Sequence, residues 1–219
     1  RVLLALAHKL NFHLSVQDIS QAFLYARRDE DKPVFIRIPP GMKEFYQGSG
    51  DLSKCLCQVV RSVYGLKEAP RLWQEEFTKA CVDDIGMTMH SNDPLVFYIR
   101  RSQIDYERST SENMLYLKTD PEPTLGDGDR DTVLFTVSHV DDSLVCAETP
   151  QLQKWFTARM KKAFKLTNET IEKDIKTGVP FLGYRIIKEG NRLRLSVEHK
   201  IETLYEEHKH LLSEDQYEL

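Results

Sequence analysis

Apolar residues at helical spacing open the chain: VLLALAHKL, residues 2 to 10, predicts an amphipathic helix. HLSVQDI, at 13 to 19, alternates around the β-former Val16 and predicts a strand ending at Asp18. A charged turn from Arg27 to Lys32 leads into VFIRIPPG at 34 to 41, a strand stopped by Pro39, Pro40 and Gly41. KCLCQVVRSVYGL, at 54 to 66, predicts a further strand running into a glycine turn. Pro70 suits the first position of a helix, where its missing N–H would have no partner anyway. That helix carries Trp73, Phe77, Cys81 and Ile85 on one stripe and ends at Gly86.

The second half follows the same rules. PLVFYI, at 94 to 99, predicts a strand, and the polar stretch from Arg100 to Asp131 reads as a mobile insertion with few large apolar residues. VLFTVSHV and SLVCA are apolar strands separated by Asp141 and Asp142, which predicts a β-hairpin. QLQKWFTARMKKAF, at 151 to 164, predicts a helix with Leu152, Trp155, Phe156, Met160 and Phe164 inward and Lys154, Lys161 and Lys162 on the wet side. FLGYRII and RLRLSV flank Glu189-Gly190-Asn191 as a second hairpin. A last helix, about 198 to 212, stacks Ile201, Leu204, Tyr205, His208 and Leu212. Strands and helices alternate without βαβ regularity, so the expected fold class is α+β on an antiparallel sheet.

Composition changes this picture little. The 219 residues are 41% hydrophobic and 29% charged, a balance that supports a packed core. No run of about 18 apolar residues predicts a membrane span. The absence of a signal-peptide pattern before the amphipathic opening at Arg1 reads as a piece of a longer chain. Cys55 and Cys57 have C-x-C spacing but lack a second pair or nearby histidines to complete a zinc site. With Cys81 and Cys146 they read as reduced thiols, and hence as an intracellular protein. A net charge of −4 excludes binding nucleic acid by bulk electrostatics, though not through an acidic site neutralised by metal ions.

The candidate chemistry lies in the acids. The tripeptide VDD occurs twice. Asp83 and Asp84 fall in the last turn of an amphipathic helix and read as solvated surface. Asp141 and Asp142 fall instead at a tight turn between buried strands. Two like charges about 4 Å apart repel by roughly 4 kcal/mol at an effective dielectric of ~20. Protonation or divalent cations would relieve that repulsion, and Asp18, at another strand end, is the natural third oxygen donor. Such a trio suits metal-assisted phosphoryl transfer. Two blander readings stay open: Asp18 as a helix N-cap, and Asp141-Asp142 as a polar turn. The GDGDRD acids do not make a calcium loop, because counting from Asp127 puts Thr132 and Ser138 where the pattern needs Gly and Glu.

Six segments then occur in one order: QDISQAFL at 17 to 24, IPPGM at 38 to 42, RSVYGLKEAPRLW at 61 to 73, NDPLVF at 92 to 97, HVDDSLV at 139 to 145 and FLGYRI at 181 to 186. Together they resemble the reverse transcriptase of copia-type retrotransposons, over nearly the whole chain apart from the insertion. The resemblance implies a right-hand polymerase fold: palm at 1–26 and 69–190, part of the fingers at 27–68 and the start of the thumb at 191–219. It implies Asp18, Asp141 and Asp142 as catalytic metal ligands, with the Ile19 carbonyl, for two magnesium ions or manganese in their place. It implies a nucleotide site over Ile19, Ser20, Gln21, Ala22 and Phe23, with Phe23 as the gate that excludes a 2′-hydroxyl. Tyr64, Gly65, Lys67 and Pro70 match the loop on template and incoming base. Phe181, Leu182 and Gly183 match the hairpin that grips the primer.

The implied partners are an RNA or DNA template with its primer, deoxynucleoside triphosphates, and RNase H and integrase segments of the same polyprotein. The implied setting is a cytoplasmic particle or the nucleus. His139 departs from the family's usual tyrosine at the primer's last base pair, and the family's basic fingers strand would precede Arg1. The expected activity is RNA-directed DNA polymerisation. The alternatives are an inactive remnant that folds and binds without turnover, and a metal-dependent nuclease, which gives Phe23 and the template loop no role.

Overall fold

The computed structural model describes residues 1–39, 41–45, 51, 54–105, 117–118, 131–170, 178–190 and 192–211. Alternation decides its centre. In β1 (His13–Ile19), Leu14 and Val16 join one core cluster while Ile19 joins another on the opposite face. β1 lies between β7 (Asp142–Ala147) and β8 (Leu166–Thr170), and the six-stranded sheet runs β4-β5-β6-β7-β1-β8. Its other members are β4 (Thr88–Met89), β5 (Val96–Arg100) and β6 (Thr132–His139). Every neighbouring pair is antiparallel, as the lack of βαβ regularity predicts.

Helices cover one face. α2 (Ala69–Lys79) and α3 (Pro150–Ala163) pack Trp73, Phe77, Phe156 and Met160 onto Ile19, Phe97 and Val145. Thr149 caps α3 by accepting from the Leu152 amide at 3.2 Å. The buried Gln17 amide donates to the Thr157 hydroxyl at 2.8 Å, tying β1 to α3 through a polar contact inside the core. The other face receives α1 (Val2–Lys9) and the small sheet of β9 (Val179–Phe181), β10 (Tyr184–Glu189) and β11 (Arg192–Ser196). A separate ribbon pairs β2 (Phe35–Arg37) with β3 (Leu56–Gln58).

Several expectations need correction. α2 starts at Ala69, one residue before Pro70, and continues as a wider π turn over Ala80–Asp84. Cys81 and Ile85 stay buried through that change, while Asp83 and Asp84 are exposed as expected. The strand predicted at 54 to 66 forms over Leu56–Gln58 alone. β8 is an unpredicted strand: LTNET has no apolar alternation, and it forms by pairing with β1. The last helix, α4 (Glu198–His208), buries none of its residues, and the Ile201, Leu204 and Tyr205 stripe faces solvent.

Most of the segment from 100 to 131 lies outside the described residues, as do Pro40, Asn191 and Leu212. Its described ends are anchored to the fold. Ile104 is buried and bridges to Leu117, which lies against Gly86, the positive-φ residue that follows the π turn and Ile85. Among the described residues no helix is long and apolar enough to cross a membrane.

Candidate active site

The hairpin between β6 and β7 turns in two residues, Val140 and Asp141, because His139 pairs directly with Asp142. Val140 takes φ +57, a region that β-branched residues avoid. On the other side of β7, Asp142 pairs directly with Asp18. The Ile19 amide donates to the Asp141 carbonyl at 2.9 Å, so Ile19 and Asp141 form the hydrogen-bonded step of the ladder. Asp18 and Asp142 therefore occupy the adjoining non-bonded step, where side chains approach most closely, with Cα atoms about 4.5 Å apart. One row across the sheet thus reads His139, Asp142, Asp18 and Thr167, with Asp141 in the turn beside it.

This row lies on the face that carries the small sheet. Leu182 and Gly183 form the turn between β9 and β10, both at positive φ, and Lys200 lies across Gly183 where a Cβ would collide with it. The Leu182 amide hydrogen-bonds the Asp142 carboxylate. Burial, then the charges of Asp141 and Asp18, push the Asp142 carboxyl above the usual aspartate range, and the Leu182 amide and His139 partly oppose the rise.

None of the three carboxylates forms an ion pair among the described residues. Nor, among those residues, does any set of three or more acid, histidine or cysteine side chains converge tightly enough to enclose a metal ion. The backbone nonetheless juxtaposes the acids, and the charges of Asp141 and Asp18 reach the Asp142 carboxyl. The donor set still fits magnesium, because its oxygens are hard and its charge is unbalanced.

A prediction follows from the raised carboxyl. Its protonated form is the one the fold favours, so ionisation costs stability as pH rises from the unfolded aspartate value of about 3.9 through the higher folded value. Asp142→Asn is therefore expected to melt above wild type at pH 7 without divalent cations, by under about 1 kcal/mol for a half-exposed group. The gap should close as pH falls below about 4. Melting curves across pH test this, and a variant that melts lower at pH 7 contradicts it.

The other expected site residues gather in part. Phe23 is buried in a short 3₁₀ turn (Ala22–Tyr25), and the exposed Tyr64 ring rests on it with centroids 4.7 Å apart. Gly65 takes φ +94 and Lys67 is exposed. Pro70 lines one cleft with Trp73, His139 and Val140. Along the expected nucleotide segment, the Ile19 amide donates to the Asp141 carbonyl and the Ser20 amide to the Lys165 carbonyl, each at 2.9 Å. Gln21, at φ +58, together with Ala22 and Phe23, keeps amides that make no backbone bond among the described residues. Sequence reasoning placed Trp73 only on a core stripe. Its indole N–H donates to the Val140 carbonyl at 2.6 Å, and the one signal for this is that a buried indole needs an acceptor.

Residues 1–100 match the family model described as reverse transcriptase (RNA-dependent DNA polymerase). The chain is 24% identical over 208 residues to the retrovirus-related Pol polyprotein from transposon TNT 1-94 of Nicotiana tabacum, covering 94% of this chain and 13% of that protein. It is 25% identical over 174 residues to the putative transposon Ty5-1 protein of Saccharomyces cerevisiae, covering 80% of this chain and 43% of that protein. A third relative, the retrovirus-related Pol polyprotein from transposon RE1 of Arabidopsis thaliana, is 27% identical over 122 residues, 55% of this chain and 8% of its own length. The chain thus spans less than half the length of these relatives. No solved structure matches it. The family model's description, reverse transcriptase, and the relatives' names, those of transposon proteins and their Pol polyproteins, agree with the resemblance to copia-type retrotransposons that the motifs carry.

Proposed function

We propose that the chain adds deoxynucleotides to the 3′ end of a primer paired with an RNA or DNA template. The observation that carries this reading is the direct pairing of Asp18 with Asp142, with Asp141 in the adjoining turn and no ion pair to any of the three among the described residues. Asp18, Asp141 and Asp142, with the Ile19 carbonyl, would hold two magnesium ions. Bound there, magnesium would offset the triphosphate charge and lower the pKa of the primer hydroxyl.

The chain's own groups do the positioning. Amides of Gln21, Ala22 and Phe23 face the phosphates, and the Phe23–Tyr64 ring pair forms the floor beneath the sugar. Tyr64, Gly65, Lys67 and Pro70 pack on template and incoming base. The Phe181–Gly183 turn, tied to Asp142 through Leu182, holds the primer end, and His139 lies beside its last base pair. In this reading residues 1–26 and 69–190 are the palm, 27–68 part of the fingers and 191–219 the start of the thumb. The protein works inside the cell with other segments of a Pol polyprotein.

The test is single-nucleotide addition to a labelled primer on an RNA template with magnesium. Chelator-sensitive addition is expected. Shortening of the primer without nucleotide, or no addition by folded protein, would count against the reading. Sugar selection gives a second measurement. Phe23→Ala is expected to raise ribonucleotide use relative to deoxynucleotide by about tenfold or more, since a size-based pocket discriminates on that scale. An unchanged ratio removes the gate role.

A further inference from the structure

Trp73 does more than fill the core. Its ring is 3% exposed and packs against Phe164, Phe77 and Tyr25 at centroid distances of 5.2, 5.8 and 6.3 Å. A buried indole N–H requires an acceptor, and here the acceptor is the Val140 carbonyl, 2.6 Å away. That carbonyl belongs to the two-residue turn whose first member holds a left-handed φ that valine disfavours. A backbone in that region persists when its surroundings over-determine it. The next carbonyl along, that of Asp141, is held by the Ile19 amide at 2.9 Å. Two successive carbonyls are thus pinned from different elements, one from α2 and one from β1, and the Asp141 carboxylate projects from the residue between those anchors.

We propose that Trp73 is a positioning residue: its indole N–H latches the Val140–Asp141 peptide and so sets the direction of the Asp141 carboxylate toward Asp18 and Asp142. This rests on the polymerase reading of the three acids. The latch also reaches the nucleotide side. Tyr25, which shares the aromatic cluster, ends the short turn that carries Phe23, and its hydroxyl accepts from the Lys165 amide at 2.7 Å. One block of rings therefore supports both the acid turn and the segment proposed to face the triphosphate.

Trp73→Phe keeps an aromatic ring in the cluster and removes the donor. Three readouts are taken on the whole chain: magnesium affinity by calorimetric titration, kcat and KM for single-nucleotide addition, and the melting temperature. The expected result is a kcat about tenfold lower, with magnesium affinity weakened about fivefold. KM for the nucleotide should change less than about twofold, because binding contacts are untouched. The same substitution in a Val140→Gly background separates latch from packing. Glycine takes the turn's φ without strain, so there the Trp73→Phe loss in kcat should shrink to under about threefold. A full loss persisting with glycine, or wild-type kcat and magnesium affinity in Trp73→Phe itself, overturns the positioning role alone. Wild-type protein that neither binds magnesium nor adds nucleotide overturns the polymerase reading, and this inference with it.

Discussion

Asp141→Asn is expected to lower single-nucleotide addition by roughly 10²- to 10³-fold or more, the scale on which deleting one preorganised electrostatic contact slows an enzyme. The substitution is nearly isosteric and removes one negative charge. The group that Asp141 contributes to the sheet is its main-chain carbonyl, which accepts from Ile19, and asparagine keeps that bond. Its carboxylate forms no ion pair among the described residues. Loss of activity should therefore come without loss of fold. The charge that helps raise the Asp142 carboxyl also disappears, so the variant should melt no lower than wild type at pH 7. Rates and melting curves measured together decide the matter. Wild-type rates in magnesium would remove Asp141 from the chemistry, whereas a collapsed melting curve would make its role structural.

Phe156→Ala is expected to have the largest effect on stability. Phe156 is fully buried where α3 meets the central sheet, in the cluster that holds Ile19 and Val145. Truncating such a ring costs about 3–5 kcal/mol, from lost burial and from the cavity left behind. For a chain of this size that corresponds to a drop in melting temperature of roughly 10 °C. Ile201→Ala makes the contrast: the residue is 61% exposed on α4, and its loss should stay within about 0.5 kcal/mol. A Phe156→Ala variant losing less than about 1 kcal/mol would mean that α3 is not a structural part of this core.

Periodicity located α1, β1, α2, β5, the β6–β7 hairpin and α3, because each buries a face and burial leaves its spacing in the residues. It missed β8, whose LTNET sequence has no apolar alternation and becomes a strand through its partner β1. It overstated the strand after Lys54 and the packing of α4, where apolar residues remain exposed. Asp18, Asp141 and Asp142 were legible as strand-end acids, yet their pairing register was not. That depends on how β1 docks against β7, a tertiary choice that no local pattern encodes. For the same reason no local pattern shows that Ile19 and Ser20 spend their N–H groups on neighbours distant in sequence. The latch from Trp73 left no spacing signature.

The placement of β1 between β7 and β8 bears on how the protein is made. Asp18 leaves the ribosome more than a hundred residues before Asp142, and the strand that carries it has no partner on either side until both are synthesised. Closing so large a loop is slow, because its entropy is lost before the pairing repays it. During translation β1 waits as an open edge, a state prone to mispairing or to capture by chaperones. Products cut short before the acid hairpin therefore lack the middle of their sheet, and premature termination should yield insoluble chains rather than quiet, folded ones.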